Sequence, residues 1–258
     1  KIAKDFIEKI MFSNDEIINL LDQNLFLFDH ETVVKDYLHH EKIKYHGVSA
    51  TIARFKPLHI GHAVFLTEAC RHSKHLYIGI GSSDKDRSPT NPYTAEESMM
   101  MAKTYLESEG FVEGKDFSFF YMKDVGKDGL WTKNLLNILE GINEADTPFG
   151  KGHLSFGKVN SFISSNKLVK ELLGGRYHFV EAFNIVPREL RVDVKGSAVR
   201  YWMVQDEDMV QYIDWRKDVP AVLVPYLESL VGQVKKFKDG IEAEYKKKLQ
   251  EKEESIQA

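Results

Sequence analysis

Short runs of apolar residues alternate with longer segments of helical periodicity through the middle of the chain. The short runs predict buried strands, and the longer segments predict helices packed on them. Strands are predicted at 47–53, 75–80, 117–122, 159–163 and 177–183, and helices at 60–72, 94–108, 130–139 and 166–173. Because the strands alternate with helices of this length, an α/β fold with a doubly wound parallel sheet is predicted.

Both ends of the chain carry helical patterns. Ser13 to Glu16 has the composition of an N-cap and an acidic first turn, and apolar residues at helical spacing follow it. The tail is helical in pattern and ends in a highly charged stretch at 235–254, which indicates a solvated helix. Three parts are therefore predicted: a helical extension at 1–45, the α/β domain at 46–218 and a helical C-terminal segment at 219–258.

Composition and charge exclude several classes of protein. Of the 258 residues, 43% are apolar and 29% are charged, which is ordinary for a soluble globular protein. No apolar run approaches the roughly 20 residues that cross a bilayer. The single cysteine, Cys70, excludes an internal disulfide and a multi-cysteine zinc site. A net charge of −4 gives no general attraction to nucleic acid. A cytoplasmic protein that binds neither membrane nor nucleic acid is expected.

The most informative segment, 53–62, joins the first predicted strand to the first predicted helix. His59 and His62 are three residues apart near a helix start, so their side chains share one face. The helix N-terminus adds unpaired N–H groups and a partial positive charge. Arg54 and Lys56 add two cations. The segment predicts a polyphosphate-binding site.

Gly61 supports this prediction because a glycine between the histidines allows a ligand to approach the backbone closely. Two other interpretations are open. The histidines could form part of a metal site, although no third ligand is evident nearby, or they could share a surface by coincidence. The position after a strand, with Arg and Lys alongside, favours phosphate over both.

The segment 54–62 resembles the HxGH signature of the nucleotidyltransferase superfamily. Four further pieces, in the same order along the chain, resemble archaeal-type nicotinamide-mononucleotide adenylyltransferases: 81–83 with 91–97, 123–125 with 130–131, 164–169, and 195–200. The resemblance extends from about Gly47 to Tyr226. It implies a Rossmann-like nucleotidyltransferase fold for this part of the chain.

The resemblance implies roles residue by residue. It implies that ATP is bound by Arg54, Phe55, Lys56, His59, Gly61, His62, Gly81, Arg87, Lys195, Gly196, Ser197 and Arg200. It implies catalytic roles for five of these residues: Arg54, Lys56, His59, His62 and Arg200. At the acceptor site it implies Ser82, Asp124, Asp128, Trp131 and Asn166. Trp131 would stack on the nicotinamide ring. Mg²⁺ would bridge the ATP phosphates, held mainly by substrate oxygens and water, so no protein metal ligands are expected.

Three of these residues also have ordinary structural interpretations. Trp131 taken alone is more often a core residue than a platform for a ligand. Ser197 could be a helix N-cap, which is compatible with phosphate binding. Arg200 could pair with a surface carboxylate.

The chain departs from the family pattern at several positions. Lys56 stands where the family usually has Gln, Thr90 where a basic residue is frequent, and Ser98 where Arg is usual. Asp128 replaces an Asn that reads the nicotinamide carboxamide, and its carboxylate can accept but not donate hydrogen bonds. The stretch 150–157 is predicted as an additional loop.

The implied reaction is in-line attack by the 5′-phosphate of nicotinamide mononucleotide on the α-phosphorus of ATP. It would yield NAD and pyrophosphate, and it requires no base because a phosphate is already nucleophilic at neutral pH. Two alternatives are open: a related transferase acting on pantetheine phosphate, flavin mononucleotide or a cytidylyl acceptor, and a non-catalytic nucleotide-binding regulator. A homo-oligomer is an expectation from the resemblance alone.

Overall fold

The computed structural model describes residues 47–126, 128–173, 175–206 and 213–257. The predicted helical extension at 1–45 lies outside the described residues. Within them, no helix is long and apolar enough to cross a membrane.

A seven-stranded sheet forms the centre of the molecule. Its strands are β1 (Val48–Ala53), β2 (His75–Gly81), β3 (Phe117–Met122), β4 (Ala145–Thr147), β5 (Gly150–Gly152), β6 (Ser161–Ser164) and β7 (His178–Glu181). The spatial order is β5-β4-β3-β2-β1-β6-β7, with β3, β2, β1, β6 and β7 parallel. The chain runs outward from β1 to β3 and later returns to the other side of β1. In sheets of this type, ligands bind where the strand order reverses, at the carboxyl ends of the strands.

Helices connect and cover the strands. They are α1 (Ile60–Arg71), α2 (Ala95–Ser108), α3 (Asp128–Leu139), α4 (Lys167–Leu173), α5 (Ala182–Ile185), α6 (Gly196–Val204), α7 (Val224–Val234) and α8 (Lys238–Gln257). Short 3₁₀ helices occupy Arg188–Leu190, Trp215–Asp218, Ala221–Leu223 and Lys235–Phe237. Thr94 and Glu97 form a reciprocal capping box that fixes the start of α2.

Two apolar clusters lie on the two faces of the sheet. Ile78 and Ile80 of β2 belong to one cluster, with residues of α1, α2, α6 and α7. Tyr77 belongs to the other, with residues of α3 and α4. This alternation along one buried strand follows from the two-residue period of side chains in a sheet. The predicted doubly wound arrangement is therefore confirmed.

The sheet differs from the prediction at one edge. Gly150–Gly152 is a strand, β5, which pairs antiparallel with β4, and β4 pairs antiparallel with β3. The prediction of a loop over 150–157 is therefore wrong at its beginning. The reason is chemical: two glycines and one lysine offer no alternation of apolar and polar side chains, although their backbones pair normally.

The C-terminal helix α8 packs against α6. Tyr245 of α8 stacks on Tyr201 of α6 with ring centroids 4.3 Å apart, and Glu242 accepts a hydrogen bond from Gln205. The helical tail is thus present. The domain boundary at residue 218 stays a prediction.

Candidate active site

The turn between β1 and α1 places the motif at the carboxyl edge of the sheet. Phe55 has a positive φ of 50° and its ring is fully buried, so it anchors the turn in the core. His59 is the N-cap residue of α1, but its side chain makes no capping hydrogen bond. The first N–H groups of the helix therefore lack a side-chain partner and are available to an anion.

The two motif histidines form a stacked pair. Their ring centroids are 3.8 Å apart, with an interplanar angle of 27°. Burial, and secondarily the charge of Lys195, lowers the pKa of His59 to about 4. Burial, the neighbouring His59 and the cations Arg54 and Lys195 lower the pKa of His62 well below its usual value. Both imidazoles are therefore neutral near pH 7, and each presents one N–H donor rather than a full charge.

Glycines bring two helix starts close to this pair. A Cβ atom added to Gly61 would lie 3.3 Å from the His59 ring, and one added to Gly196 would lie 3.8 Å from the same ring. The His59 imidazole is therefore held between the N-termini of α1 and α6.

Lys56 is a buried cation beneath the turn. Its Nζ donates hydrogen bonds to the backbone oxygens of Ser82, at 3.2 Å, and Lys85, at 2.7 Å. Burial, and then the charge of Arg54, lowers the pKa of Lys56 to about 8, although nearby carboxylates oppose the shift. Lys56 thus ties the loop after β2 to the motif.

A cavity of about 270 Å³ lies beside the histidine pair. It is lined by Arg54, Phe55, Lys56, Pro57, His59, His62, Thr90, Lys195, Gly196, Ser197, Arg200 and Lys248. We call it the basic cavity, because none of the described residues that line it is acidic.

Arg200 forms part of the wall of the basic cavity and is only 6% exposed. Its Nη1 donates to the backbone oxygen of Lys56 at 2.6 Å. Its Nη2 donates to both carboxylate oxygens of Glu244, at 3.0 and 2.8 Å. Its Nε is buried without a partner among the described residues. The guanidinium therefore keeps donor capacity at the cavity wall.

A larger cavity of about 650 Å³ runs along the carboxyl edge of the sheet. Gly81, Ser82, Asp124 and Trp131 line it on the side of β2 and β3. The residues that line it on the side of β6 and β7 include Ser165, Asn166, Leu168, Phe183, Arg191 and Val192. Because β1 lies between these strand pairs, the histidines occupy the middle of the cavity.

Asp124 is held in position on the β3 side. Its carboxylate accepts hydrogen bonds from Ser82 Oγ at 2.9 Å and Lys85 Nζ at 2.8 Å. Burial acts to raise the pKa of Asp124, but the hydrogen bonds from Lys85 and Ser82 outweigh it and lower the pKa overall. Trp131 of α3 is half-buried, packs against the second apolar cluster and also lines the large cavity. Trp131 is therefore both a packing residue and a cavity-lining residue, and its role as a platform for a ligand stays a prediction.

The structure brings most of the predicted residues together. Those that line one or both cavities are Arg54, Phe55, Lys56, His59, Gly61, His62, Gly81, Ser82, Asp124, Trp131, Asn166, Lys195, Gly196, Ser197 and Arg200. Asn166 lies across β1 from Ser82, Asp124 and Trp131.

Arg87 is not brought into the site, and the side chain of Asp128 is outside the described part of the structure. Arg87 lines neither cavity, because its guanidinium makes a bidentate ion pair with Glu97 and donates a hydrogen bond to the backbone oxygen of Pro92. The backbone of Asp128 begins α3, and its side chain lies outside the described residues.

Sequence reasoning missed Glu244 and Lys248 on α8. The charged tail indicated a solvated helix, yet Glu244 is only 16% exposed in its side chain and contacts Arg200. The sequence of the tail does not reveal this contact, because Lys and Glu are also common on helices whose charged side chains face only solvent.

A family model described as cytidylyltransferase-like matches residues 50–219. The chain belongs to the cytidylyltransferase-like family. It is therefore a nucleotidyltransferase, and the matched region contains most of β1, the histidine pair and α6.

Curated relatives of this family member include three archaeal proteins named nicotinamide-nucleotide adenylyltransferase. The protein of Methanolobus tindarius is 28% identical over 181 residues, covering 70% of this chain and 87% of the relative. Those of Thermoplasma volcanium and Thermococcus sibiricus are 25% and 26% identical, covering 70% of this chain and 85% and 83% of their own lengths.

A solved structure supports the fold. The bifunctional NMN adenylyltransferase/ADP ribose pyrophosphatase of Francisella tularensis superposes with a TM-score of 0.55 at 16% identity, covering 83% of this chain and 57% of that one. A second structure of that enzyme holds AMP and a manganese ion.

Proposed function

We propose that this nucleotidyltransferase transfers AMP from ATP to nicotinamide mononucleotide, giving NAD and pyrophosphate. The observation that carries the proposal is the stacked pair of neutral histidines between two helix N-termini, where the basic cavity meets the large one. The names of the archaeal relatives support this choice of substrates.

The phosphate chain of ATP is assigned to the basic cavity and the histidine pair. Lys195, Gly196 and Ser197, at the start of α6, contact the β- and γ-phosphates together with Arg200. The N–H groups of His59 and His62 donate to the phosphate oxygens that gain charge during transfer. Preorganised donors of this type stabilise the transition state without moving during the reaction.

The acceptor is assigned to the side of β2 and β3. Trp131 stacks on its base, and Asp124, already held by Ser82 and Lys85, accepts hydrogen bonds from it. The adenosine of ATP then occupies the side of β6 and β7, because the phosphates lie between the two. Asn166, which the resemblance gives to the acceptor site, lies on that lip, and we assign it to the adenosine instead. Its Oδ1 accepts from Leu168 N–H, which leaves its amide N–H groups for a ligand.

The reaction then joins two nucleotides with no covalent enzyme intermediate. An oxygen of the acceptor 5′-phosphate forms a bond to the α-phosphorus of ATP while the bond to the β-phosphate oxygen breaks and pyrophosphate leaves. No catalytic base is required because the nucleophile is already ionised, so the site contributes alignment of the two phosphates and stabilisation of the developing charge. Arg87 has no part in this proposal, because Glu97 holds its guanidinium outside both cavities.

Mg²⁺ is proposed to arrive with ATP as part of the substrate. The described residues contain no cluster of three or more histidine, cysteine or acidic side chains suited to hold a metal. Asp124 is the one carboxylate among the described residues lining the large cavity, and Lys85 and Ser82 already use it. This donor set does not fit a protein-held ion, so phosphate oxygens and water would supply the ligands.

Substrate profiling tests this function. Purified protein is incubated with Mg²⁺ and either ATP or CTP, together with nicotinamide mononucleotide, pantetheine phosphate or flavin mononucleotide, and products are separated by mass. NAD from ATP and nicotinamide mononucleotide is the expected main product. A main product formed from another acceptor would show that nicotinamide mononucleotide is not the substrate. The absence of any reaction that releases pyrophosphate would favour a nucleotide-binding regulator.

A further inference from the structure

We propose that helix α8 completes the phosphate site and that Lys248 is a ligand of the terminal phosphate of the nucleotide. This inference rests on the proposed function for the identity of the nucleotide. The residue lies beyond positions 50–219, which the family model matches.

The position of Lys248 is the first observation. It is the one residue of α8 among the described residues that line the basic cavity, which is also lined by the start of α6. The wall of this cavity combines six other basic or imidazole side chains: Arg54, Lys56, His59, His62, Lys195 and Arg200. A cavity with this lining suits a ligand of several negative charges.

The second observation is that Arg200 and Lys248 converge on one anionic acceptor. Glu244 accepts from Arg200 Nη2 at 2.8 Å and from Lys248 Nζ at 2.6 Å. The two cations are therefore already arranged around an oxyanion. A phosphate oxygen accepts hydrogen bonds from the same types of donor.

The third observation is that two buried nitrogen atoms at the cavity, one of Arg200 and one of His59, have no hydrogen-bond partner among the described residues. Arg200 Nε is buried and has no partner within the described part of the chain, and the residue is only 6% exposed at the cavity wall. His59 Nδ1 is likewise buried without a described partner on a side chain that is 7% exposed. Lys248 is half-exposed, so its ammonium can turn from Glu244 toward a bound phosphate without a large desolvation cost.

Calorimetric titrations of Lys248→Met with ATP, AMP and inorganic tripolyphosphate test this role. Lys247→Met is the matched control, since Lys247 lies on the same helix, is 78% exposed and pairs with Glu251. Lys248→Met is expected to weaken ATP and tripolyphosphate about fivefold relative to Lys247→Met, the upper range for a half-exposed ion pair. AMP, which lacks the terminal phosphates, should bind equally to both variants. Lys248→Arg should retain most of the affinity.

The outcomes separate this inference from the proposed function. If Lys248→Met matches Lys247→Met for tripolyphosphate and ATP, or weakens AMP equally, Lys248 is not a phosphate ligand even where NAD is formed. If Lys248→Met weakens tripolyphosphate selectively while the wild type forms no dinucleotide, the phosphate site stands and the proposed function fails. If the wild type binds neither tripolyphosphate nor ATP, both are refuted.

Discussion

Replacement of His62 by alanine removes one of the two stacked donors while leaving the fold in place. His62 is partly exposed as a residue and lines both cavities, so its loss enlarges a site that water can fill rather than leaving a sealed void. Phe55, which contacts it edge-on at 5.1 Å, stays anchored in the core. We therefore expect the variant to unfold at nearly the wild-type temperature.

The loss of activity follows from the charge state of the pair. Since the pKa of His62 lies well below its usual value, the side chain acts as a neutral N–H donor at pH 7. Removal of one preorganised donor to a developing oxyanion costs on the order of 3 kcal/mol, which is about 100-fold in kcat. If imidazolium were required, the rate would instead fall as pH rises through about 6.5.

The assay measures kcat and KM for NAD formation at pH 6.0, 6.8 and 7.5, for the wild type, His62→Ala and His153→Ala. His153 is an exposed histidine that lines neither cavity, so its variant controls for loss of an imidazole. A folded His62→Ala protein with near-normal kcat would refute the catalytic role. A steep decline of the wild-type rate between pH 6.0 and 7.5 would refute the neutral-donor account.

Three further predictions concern other parts of the structure. Because the pKa of Lys56 is about 8, kcat/KM for ATP should fall about tenfold as pH rises through 8 and the ammonium is lost. The pH profile of Lys56→Gln should not show this decline. Trp131→Ala should raise KM for the acceptor about tenfold and that for ATP much less, while Trp131→Phe retains stacking; equal losses for both substrates would contradict the assignment. Gly79→Ala should lower the free energy of unfolding by about 1–3 kcal/mol, because its Cβ would lie 2.7 Å from Phe120 Cζ. The control Gly232→Ala, at an exposed helical position, should be stabilising by up to about 1 kcal/mol. Denaturant titration of both variants measures these differences.

The central fold and the motif could be predicted because each has a strong local signal. The run at 48–53 is apolar enough to be buried on both faces, and the histidines follow it at a helix start. Parallel connections then place the ends of β2, β3 and β6 at the same edge as the motif, whatever the details of packing. The family resemblance assigned Ser82, Asp124 and Asn166 to one site, and this topology brings them to the same edge.

Contacts between distant parts of the chain could not be predicted. Arg200 and Glu244 are separated by 44 positions, and a salt bridge on a charged helix leaves no distinctive pattern in the sequence. The contact of Arg87 could not be predicted either, although its partner is only ten residues away. The direction of the Arg87 side chain depends on the positive φ of 51° that the loop adopts at this residue. With Glu97 fixed in the capping box, that conformation directs Arg87 to it and away from the phosphates.

Label transfer from ATP tests the central claim most directly. Protein, Mg²⁺ and nicotinamide mononucleotide are incubated with ATP labelled at the α-phosphorus or, separately, at the γ-phosphorus. The account predicts that the α-label appears in NAD and the γ-label in pyrophosphate, in equal amounts. Labels that remain in ATP, or that appear in free AMP or inorganic phosphate without dinucleotide, would contradict adenylyl transfer by this site.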